Sequence, residues 1–131
     1  MKTESSLFLT DIVESILAKF AKDYFPTDRN FFHSYIYECK NTYPDLLKGF
    51  IFDEMGGHPH SREVEDALTN LEIASLLGQK NPDFTTYEIK ANLKEHYSKY
   101  IKKELLPDEE KQIKEIADGL LEKLNEWDRN R

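Results

Sequence analysis

The segment 50–89 constrains the fold of this chain most, because it carries several structural signals in a fixed order. A short aromatic run at 50–52 is typical of a β-strand, and the Gly-Gly-His-Pro-His stretch after it predicts a loop. An amphipathic helix follows, and we expect Ser61 to cap its start and Gly78 to end it in a left-handed conformation. A β-rich run at 84–89 completes the segment. This order indicates a strand–helix–hairpin unit of the winged-helix kind.

Helices are predicted on both sides of this segment. Apolar side chains recur there at three- and four-residue spacing, which gives each helix one face for a core. The N-terminal helix spans about 6–23, and Thr27 or Asp28 caps the start of a second helix. C-terminal helices occupy 91–128, where Pro107 separates two of them. Four side chains define the predicted polar side of the first helix: Asp11, Glu14, Ser15 and Lys19.

Together these patterns predict a mainly helical α+β fold that is winged-helix-like. We expect about five helices and a small antiparallel sheet of two or three strands. In that sheet, 84–89 pairs either with 76–80 or with 50–52. We predict a single domain over 1–131, with its winged-helix-like core at about 28–90.

The charge balance argues against broad affinity for nucleic acid. The chain carries 18 basic and 25 acidic residues, for a net charge of −7. Nonspecific binding to nucleic acid requires Lys and Arg side chains that neutralise phosphates. One local region is basic, and its lysines are the candidates for contact if DNA is bound: Lys80, Lys90, Lys94, Lys99, Lys102 and Lys103.

We expect a cytoplasmic protein with no membrane partner. No apolar run approaches the roughly 20 residues that a membrane-spanning helix needs. Asp11 and Glu14 interrupt the apolar start, so we predict no export signal. Cys39 is the only cysteine, which excludes an intramolecular disulfide and fits a reducing compartment. Its position in the helical pattern favours a small core residue over a reactive thiol.

The cluster with most metal-ligand character is the pair of histidines in the predicted loop. His58 and His60 are two residues apart, and Glu63 follows one helical turn later. Pro59 stands between the histidines, and no HExxH helix or cysteine pair accompanies them. We therefore predict no metal site and interpret the segment as a turn that leads into the helix.

Motifs of catalysis are not evident in the sequence. It contains no Gly-rich phosphate loop and no GxSxG nucleophile elbow. The adjacent acids at 53–54 and 65–66 point apart, which is typical of solvated faces. We therefore predict a protein that is not an enzyme and that uses no cofactor, with a small enzyme or metal protein as a further alternative.

The helix at 62–77 bears on the choice between DNA and protein as partner. In a winged helix, the corresponding element commonly enters the major groove and needs Arg, Lys, Asn or Gln at its exposed positions. Here those positions are largely acidic and would repel phosphate. We expect contact with another protein or with a second copy of the chain, through these side chains: Glu63, Glu65, Asp66, Glu72 and Trp127.

A family resemblance lies in the same segment, in the run from Gly56 to Ser61 and in the apolar residues Val64, Leu68, Leu71, Leu76 and Leu77 before Gly78. This pattern resembles small bacterial Panacea-type proteins, in which a Gly-Pro-aromatic-Ser loop opens a helix that ends in a Leu-rich turn before a β-rich wing. His58 departs from that loop, because it stands between Gly57 and Pro59. The resemblance covers about a third of the chain. It implies a winged-helix-like fold and an antitoxin- or adaptor-like role.

The sequence thus favours a non-enzymatic protein-interaction module. The alternative is a DNA-binding transcriptional regulator of the winged-helix type, which would use the predicted wing and the lysines of residues 90–103.

Overall fold

Five α-helices and two small antiparallel sheets make up the structure, a computed structural model that describes residues 8–80 and 85–130. The mainly helical α+β fold predicted from the sequence is confirmed. The elements in chain order are α1 (Leu9–Lys19), β1 (Tyr24–Pro26), α2 (Arg29–Thr42), β2 (Asp53–Met55), β3 (His58–His60), α3 (Arg62–Ile73), β4 (Leu77–Gln79), β5 (Thr86–Ile89), α4 (Asn92–His96) and α5 (Pro107–Arg129).

The larger sheet has the order β1-β5-β4, with both pairs antiparallel. The predicted pairing of the last β-rich run with 76–80 is confirmed, and the pairing with 50–52 is wrong. The first residue of the predicted run, Phe84, lies outside the described residues. Strand β1, which ends at Pro26, was not predicted, and it begins just after the helix predicted at about 6–23. A proline is compatible with this position because β1 lies at the edge of the sheet.

The smaller sheet is a hairpin of β2 and β3 inserted between α2 and α3. The strand predicted at 50–52 begins instead at Asp53. The Gly-Gly-His-Pro-His stretch that was predicted as a loop supplies the turn of the hairpin and its second strand. Gly56 and Gly57 have φ values of 64° and 84°, the left-handed values that a type I′ two-residue turn requires. Phe50 lies before the strand, and its ring is fully buried in the core.

The end of α3 also differs from the prediction, which placed the left-handed cap at Gly78. Gly78 lies within β4, and the left-handed residue is Ser75, with φ of 63°. Its N–H donates to the Glu72 carbonyl at 3.0 Å, and the Leu76 N–H donates to the Leu71 carbonyl at 2.9 Å. These two bonds form a Schellman motif with serine where glycine is usual.

Helix α1 lies in the middle of the core, in contact with α3, α4 and α5. Its buried side therefore extends beyond the predicted apolar stripe. Glu14 and Ser15, which were predicted on the polar side, are 2% and 0% exposed. The Ser15 hydroxyl forms a hydrogen bond within the helix by donating to the Asp11 carbonyl at 2.7 Å.

Helix α5 packs on α1 and α2 through the predicted stripe of apolar residues. Trp127 contributes at one end, where its ring meets Phe31 edge-on at 5.5 Å between centroids. The core role predicted for Cys39 is confirmed, since its thiol is free and buried, and burial raises the pKa of that thiol. Within residues 8–80 and 85–130, none of the helices has the length and apolarity of a membrane span.

The segment between α4 and α5 departs from regular α-helix. A helix was predicted at about 91–105, but α4 passes into a π-helical turn at Tyr97–Ile101 and a 3₁₀ turn at Lys102–Glu104. Tyr97 and Ile101 are the buried residues of the π-helical turn. The chain then starts α5 at Pro107, where the ring is tolerated because no N–H is needed at the first helical position.

A close approach of α2 to α5 explains the glycine in the middle of α5. The Tyr35 hydroxyl donates to the Ile116 carbonyl at 2.6 Å, and a Cβ atom at Gly119 would overlap the same hydroxyl. Burial raises the pKa of Tyr35, so this hydroxyl stays a donor throughout the ordinary pH range. The two helices therefore pack at a separation that only glycine permits.

The left-handed conformation of Ser75 predicts that Ser75→Gly stabilises the fold. Glycine removes the steric cost of positive φ, which outweighs its larger loss of chain entropy, and we expect a gain of about 0.5–1 kcal/mol in the free energy of unfolding. Urea denaturation with an unchanged m-value measures it. Ser34→Gly, inside α2, is the matched control and should lower the free energy of unfolding by a similar amount. A loss in both variants would contradict the prediction.

The contact at Gly119 predicts that Gly119→Ala destabilises the protein, although alanine favours helix by about 1 kcal/mol. Overpacking against Tyr35 should cost more than that gain, for a net loss of about 1–3 kcal/mol. Combining it with Tyr35→Phe removes the hydroxyl and should recover most of the loss. A double-mutant cycle measured by thermal and urea unfolding tests this coupling. Strict additivity of the two changes would show that the contact is unimportant.

Candidate functional site

The two histidines of the predicted metal cluster have different environments. His58 is exposed on β3, next to the hairpin turn. Glu63 is engaged elsewhere: its Oε1 accepts from the Ile51 N–H at 3.0 Å and from the Ser61 hydroxyl at 3.2 Å. Among the described residues, no group of three or more His, Cys, Asp or Glu side chains has a metal-binding arrangement.

His60 instead lies between two other carboxylates. Its Nε2 is 2.7 Å from Glu65 Oε2, and its Nδ1 is 3.7 Å from Asp53 Oδ1. Its ring stacks on His33 with a centroid distance of 5.1 Å and an angle of 9° between the planes. His33 is buried, and its Nδ1 accepts from the Ser61 N–H at 3.1 Å. That bond places the proton of neutral His33 on Nε2.

A cavity of about 400 Å³ opens beside this stack, and we call it the His60 cavity. Its walls come from the start of α2, from β3, from α3 and from β5. Volumes of this size are typical of sites for small ligands or single side chains. The lining residues are Thr27, Asp28, Phe32, His33, His60, Glu65, Leu68 and Tyr87.

Local structure fixes several of these groups. Asp28 caps α2, because its Oδ1 accepts from the Asn30 N–H at 2.8 Å. Phe25 holds the aromatic wall, since its ring lies 5.2 Å from Phe32 and 5.0 Å from Tyr87 between centroids. Burial, then the charges of Glu72 and Glu65, raise the pKa of Tyr87 to about 12. The cavity therefore combines aromatic walls with two histidine rings and two carboxylates.

Sequence reasoning identified only two of the lining residues as candidates, His60 and Glu65. The other members come from elements distant in sequence, such as His33 on α2 and Tyr87 on β5. The only local signal was the cap at Asp28, which marks the start of a helix and says nothing about a cavity.

The structure places the predicted partner-binding acids on α3, where most of them have internal contacts. Glu72 accepts from the Gln79 side chain at 3.2 Å, and Asp66 Oδ2 is 3.9 Å from the Arg62 side chain four residues earlier. Glu65 contacts His60. Trp127 lies apart from this group, at the end of α5, where it is partly buried against the core.

The six predicted nucleic-acid-binding lysines are all exposed and lie outside α3: Lys80, Lys90, Lys94, Lys99, Lys102 and Lys103. Lys90 Nζ lies 3.0 Å from Glu88 Oε1, and this contact lowers the pKa of that carboxyl. Lys99 Nζ lies 5.3 Å from the ring centre of Tyr100. The acids of α3 and these lysines therefore belong to separate elements.

A second polar contact crosses the core between α1 and α4. Glu14 Oε2 is 2.6 Å from His96 Nδ1, and the side chain of His96 is 40% exposed at the edge of the core. Burial raises the pKa of Glu14, and the bond to His96 opposes that rise. The bond of Glu63 to the Ile51 N–H has the opposite effect and lowers the pKa of the Glu63 carboxyl.

These two shifts predict opposite pH dependences for Glu14→Gln and Glu63→Gln. The folded state binds the Glu14 proton more tightly than the unfolded state, so the parent loses stability relative to Glu14→Gln as pH rises from the ordinary value of 4.5 through the raised one. The lowered pKa of Glu63 gives stability above 4.5 that is lost as pH falls through the lowered value.

Urea unfolding of the three proteins from about pH 3 to pH 8 measures this difference. The free energy of unfolding of Glu14→Gln should rise relative to the parent with increasing pH, and that of Glu63→Gln should fall. Each variant acts as the control for the other. Slopes of the same sign would contradict the assignment of these two carboxyls.

The comparisons with known proteins add no relative to this geometry. No family model, curated protein or solved structure matches the chain. The His60 cavity and the charged surfaces are therefore interpreted from their own chemistry.

Proposed function

We propose that the protein is a non-enzymatic interaction module that binds another protein through the acidic face of α3. The partner has a basic surface, because opposite charges complement each other across an interface and accelerate association. An adaptor- or antitoxin-like role, as the Panacea-type resemblance implies, is a function of this kind.

The order of elements supports a winged-helix-like framework for this module. Helix α1, strand β1 and helices α2 and α3 precede two strands, and β5 lies between β1 and β4 in the sheet. Strands β4 and β5 follow α3 as an antiparallel pair, as the two strands of a wing do. The β2–β3 hairpin is an insertion between α2 and α3, at the place where a helix-turn-helix has a short turn.

The charge of α3 is the observation that carries the proposal. In a DNA-binding winged helix, this helix supplies the groups that meet bases and phosphates. Here Glu65 and Asp66 are exposed, and Arg62 is the single basic residue of the helix. Burial of this face against DNA would bring carboxylates towards phosphates. A cationic protein surface would instead attract these carboxylates.

DNA binding is the second candidate, and the six exposed lysines of the wing and the α4 region favour it. It would require contact through Lys94, Lys99 and their neighbours while α3 stays away from the phosphates. Charge reversal at Lys94, Lys99 and Lys102 would then weaken binding and flatten its salt dependence.

The proposal predicts that a tagged form of the protein retains a protein partner from its native host at near-physiological salt, with or without nuclease. Asp66→Lys should reduce the retained partner about tenfold, because it places a like charge against a basic surface. Quantitative mass spectrometry of the retained material measures this loss.

Asp118→Lys is the matched control. Asp118 is exposed on α5 and pairs with a lysine four residues earlier, as Asp66 pairs with Arg62, so both variants change the net charge equally. If the two variants lost equal amounts of retained partner, the effect would come from net charge alone, and this result would contradict the role of α3. Material that nuclease releases would favour the DNA alternative, and no retained material would contradict both.

A further inference from the structure

We propose that the His60 cavity binds an organic cation, a guanidinium or primary ammonium group. The natural source is either a basic side chain of the protein partner or a free small amine, and the partner as source rests on the proposed function. The chemistry of the cavity is common to both sources.

The walls of the cavity suit a cation with a planar or apolar stem. Phe32 and Leu68 are almost fully buried and supply apolar surface, while Tyr87 adds an aromatic face. Aromatic faces attract cations through the negative charge above the ring. Phe25 contacts both Phe32 and Tyr87, so these two rings are held in place before any ligand enters.

Two carboxylates line the cavity, together with the rings of His33 and His60. Asp28 and Glu65 both line it, and no Lys or Arg side chain does. Asp28 uses one oxygen to cap α2, and an ionised carboxylate has about four acceptor sites in all. Burial is the main cause of the raised pKa of Tyr87, and the charges of Glu72 and Glu65 add to it. An anion would be repelled by these two carboxylates, and a cation would be attracted to them in addition to the contacts that they make with Asn30 and His60.

Position links the cavity to the acidic face of α3. Glu65 lines the cavity from that helix, and its side chain is 61% exposed, so it stands at the mouth. Asp66 is the next residue and is also exposed. A basic chain that lies along α3 can therefore direct one side chain past Glu65 into the cavity.

Titration of the intact protein with three probes tests the site, with amide chemical shifts in NMR spectra and calorimetry as readouts. The probes are agmatine, a tripeptide with a central arginine blocked at both ends, and the same tripeptide with citrulline, which keeps the shape without the charge. We expect amide shifts around Ser61 and Leu68 with at least one of the charged probes, and binding at least tenfold weaker for citrulline.

Three isosteric variants locate the binding. Glu65→Gln and Asp28→Asn each remove one lining charge, and asparagine keeps the helix cap, so the fold is preserved. Each should weaken the binding of the cationic probes about tenfold. Asp66→Asn, next in the chain but outside the lining, is the control and should change affinity less than about twofold. The dispersion of the NMR spectrum reports on folding in every variant.

Each outcome decides between the alternatives. Preference for the peptide indicates a partner side chain, and preference for agmatine indicates a free amine. Equal binding of citrulline, equal losses in all three variants, or no shifts up to about 10 mM probe would overturn the proposal. If no probe binds, while a host partner is still retained and its retention depends on Asp66, only the cavity proposal is contradicted. If the probes bind and no partner is retained, only the interaction function falls.

Discussion

Enclosure of α1 is the constraint on which the rest of the structure depends. The helix is only Leu9–Lys19, yet α3, α4 and α5 all pack against it. Its residues Val13, Ile16 and Leu17 have no exposed surface. A helix that is covered on so many sides must bury some of its polar groups as well, and each of these needs a partner. The Glu14–His96 contact is the result, and it ties the centre of the fold to the region just before the π-helical turn.

The acids of α3 make internal contacts and also keep one face of the helix acidic. Glu63 stabilises the start of the helix, where a carboxylate also interacts well with the helix dipole, and it holds the backbone of Ile51. Glu65 orients His60. These internal roles leave the charges in place on the surface, so the face remains anionic. The internal contacts of these acids are therefore compatible with the partner binding that we propose for this face.

The sequence predicted the elements that depend on local chemistry and missed those that depend on tertiary contacts. Helix caps at Asp28 and Ser61 were correct, because a short polar side chain at a helix start acts on its own neighbours. The prediction that Gly78 ends the helix was wrong. Strand β4 begins at Leu77, so the helix has to end earlier, and Ser75 adopts the left-handed conformation. The burial of Glu14 could not be seen in its own helix. The His60 cavity was missed for the same reason: its walls meet only after folding.

The hairpin of β2 and β3 has a consequence for how copies of the protein behave at high concentration. In a hairpin with a two-residue turn, Met55 pairs with His58 and Asp53 with His60 by hydrogen bonds, so Glu54 and Pro59 face each other without one. The missing N–H of Pro59 therefore costs no bond within the hairpin. Glu54 directs its backbone groups outwards, to the open side of β2. Two copies that joined along this side would bring acidic strands together, and that repulsion guards an exposed strand against aggregation.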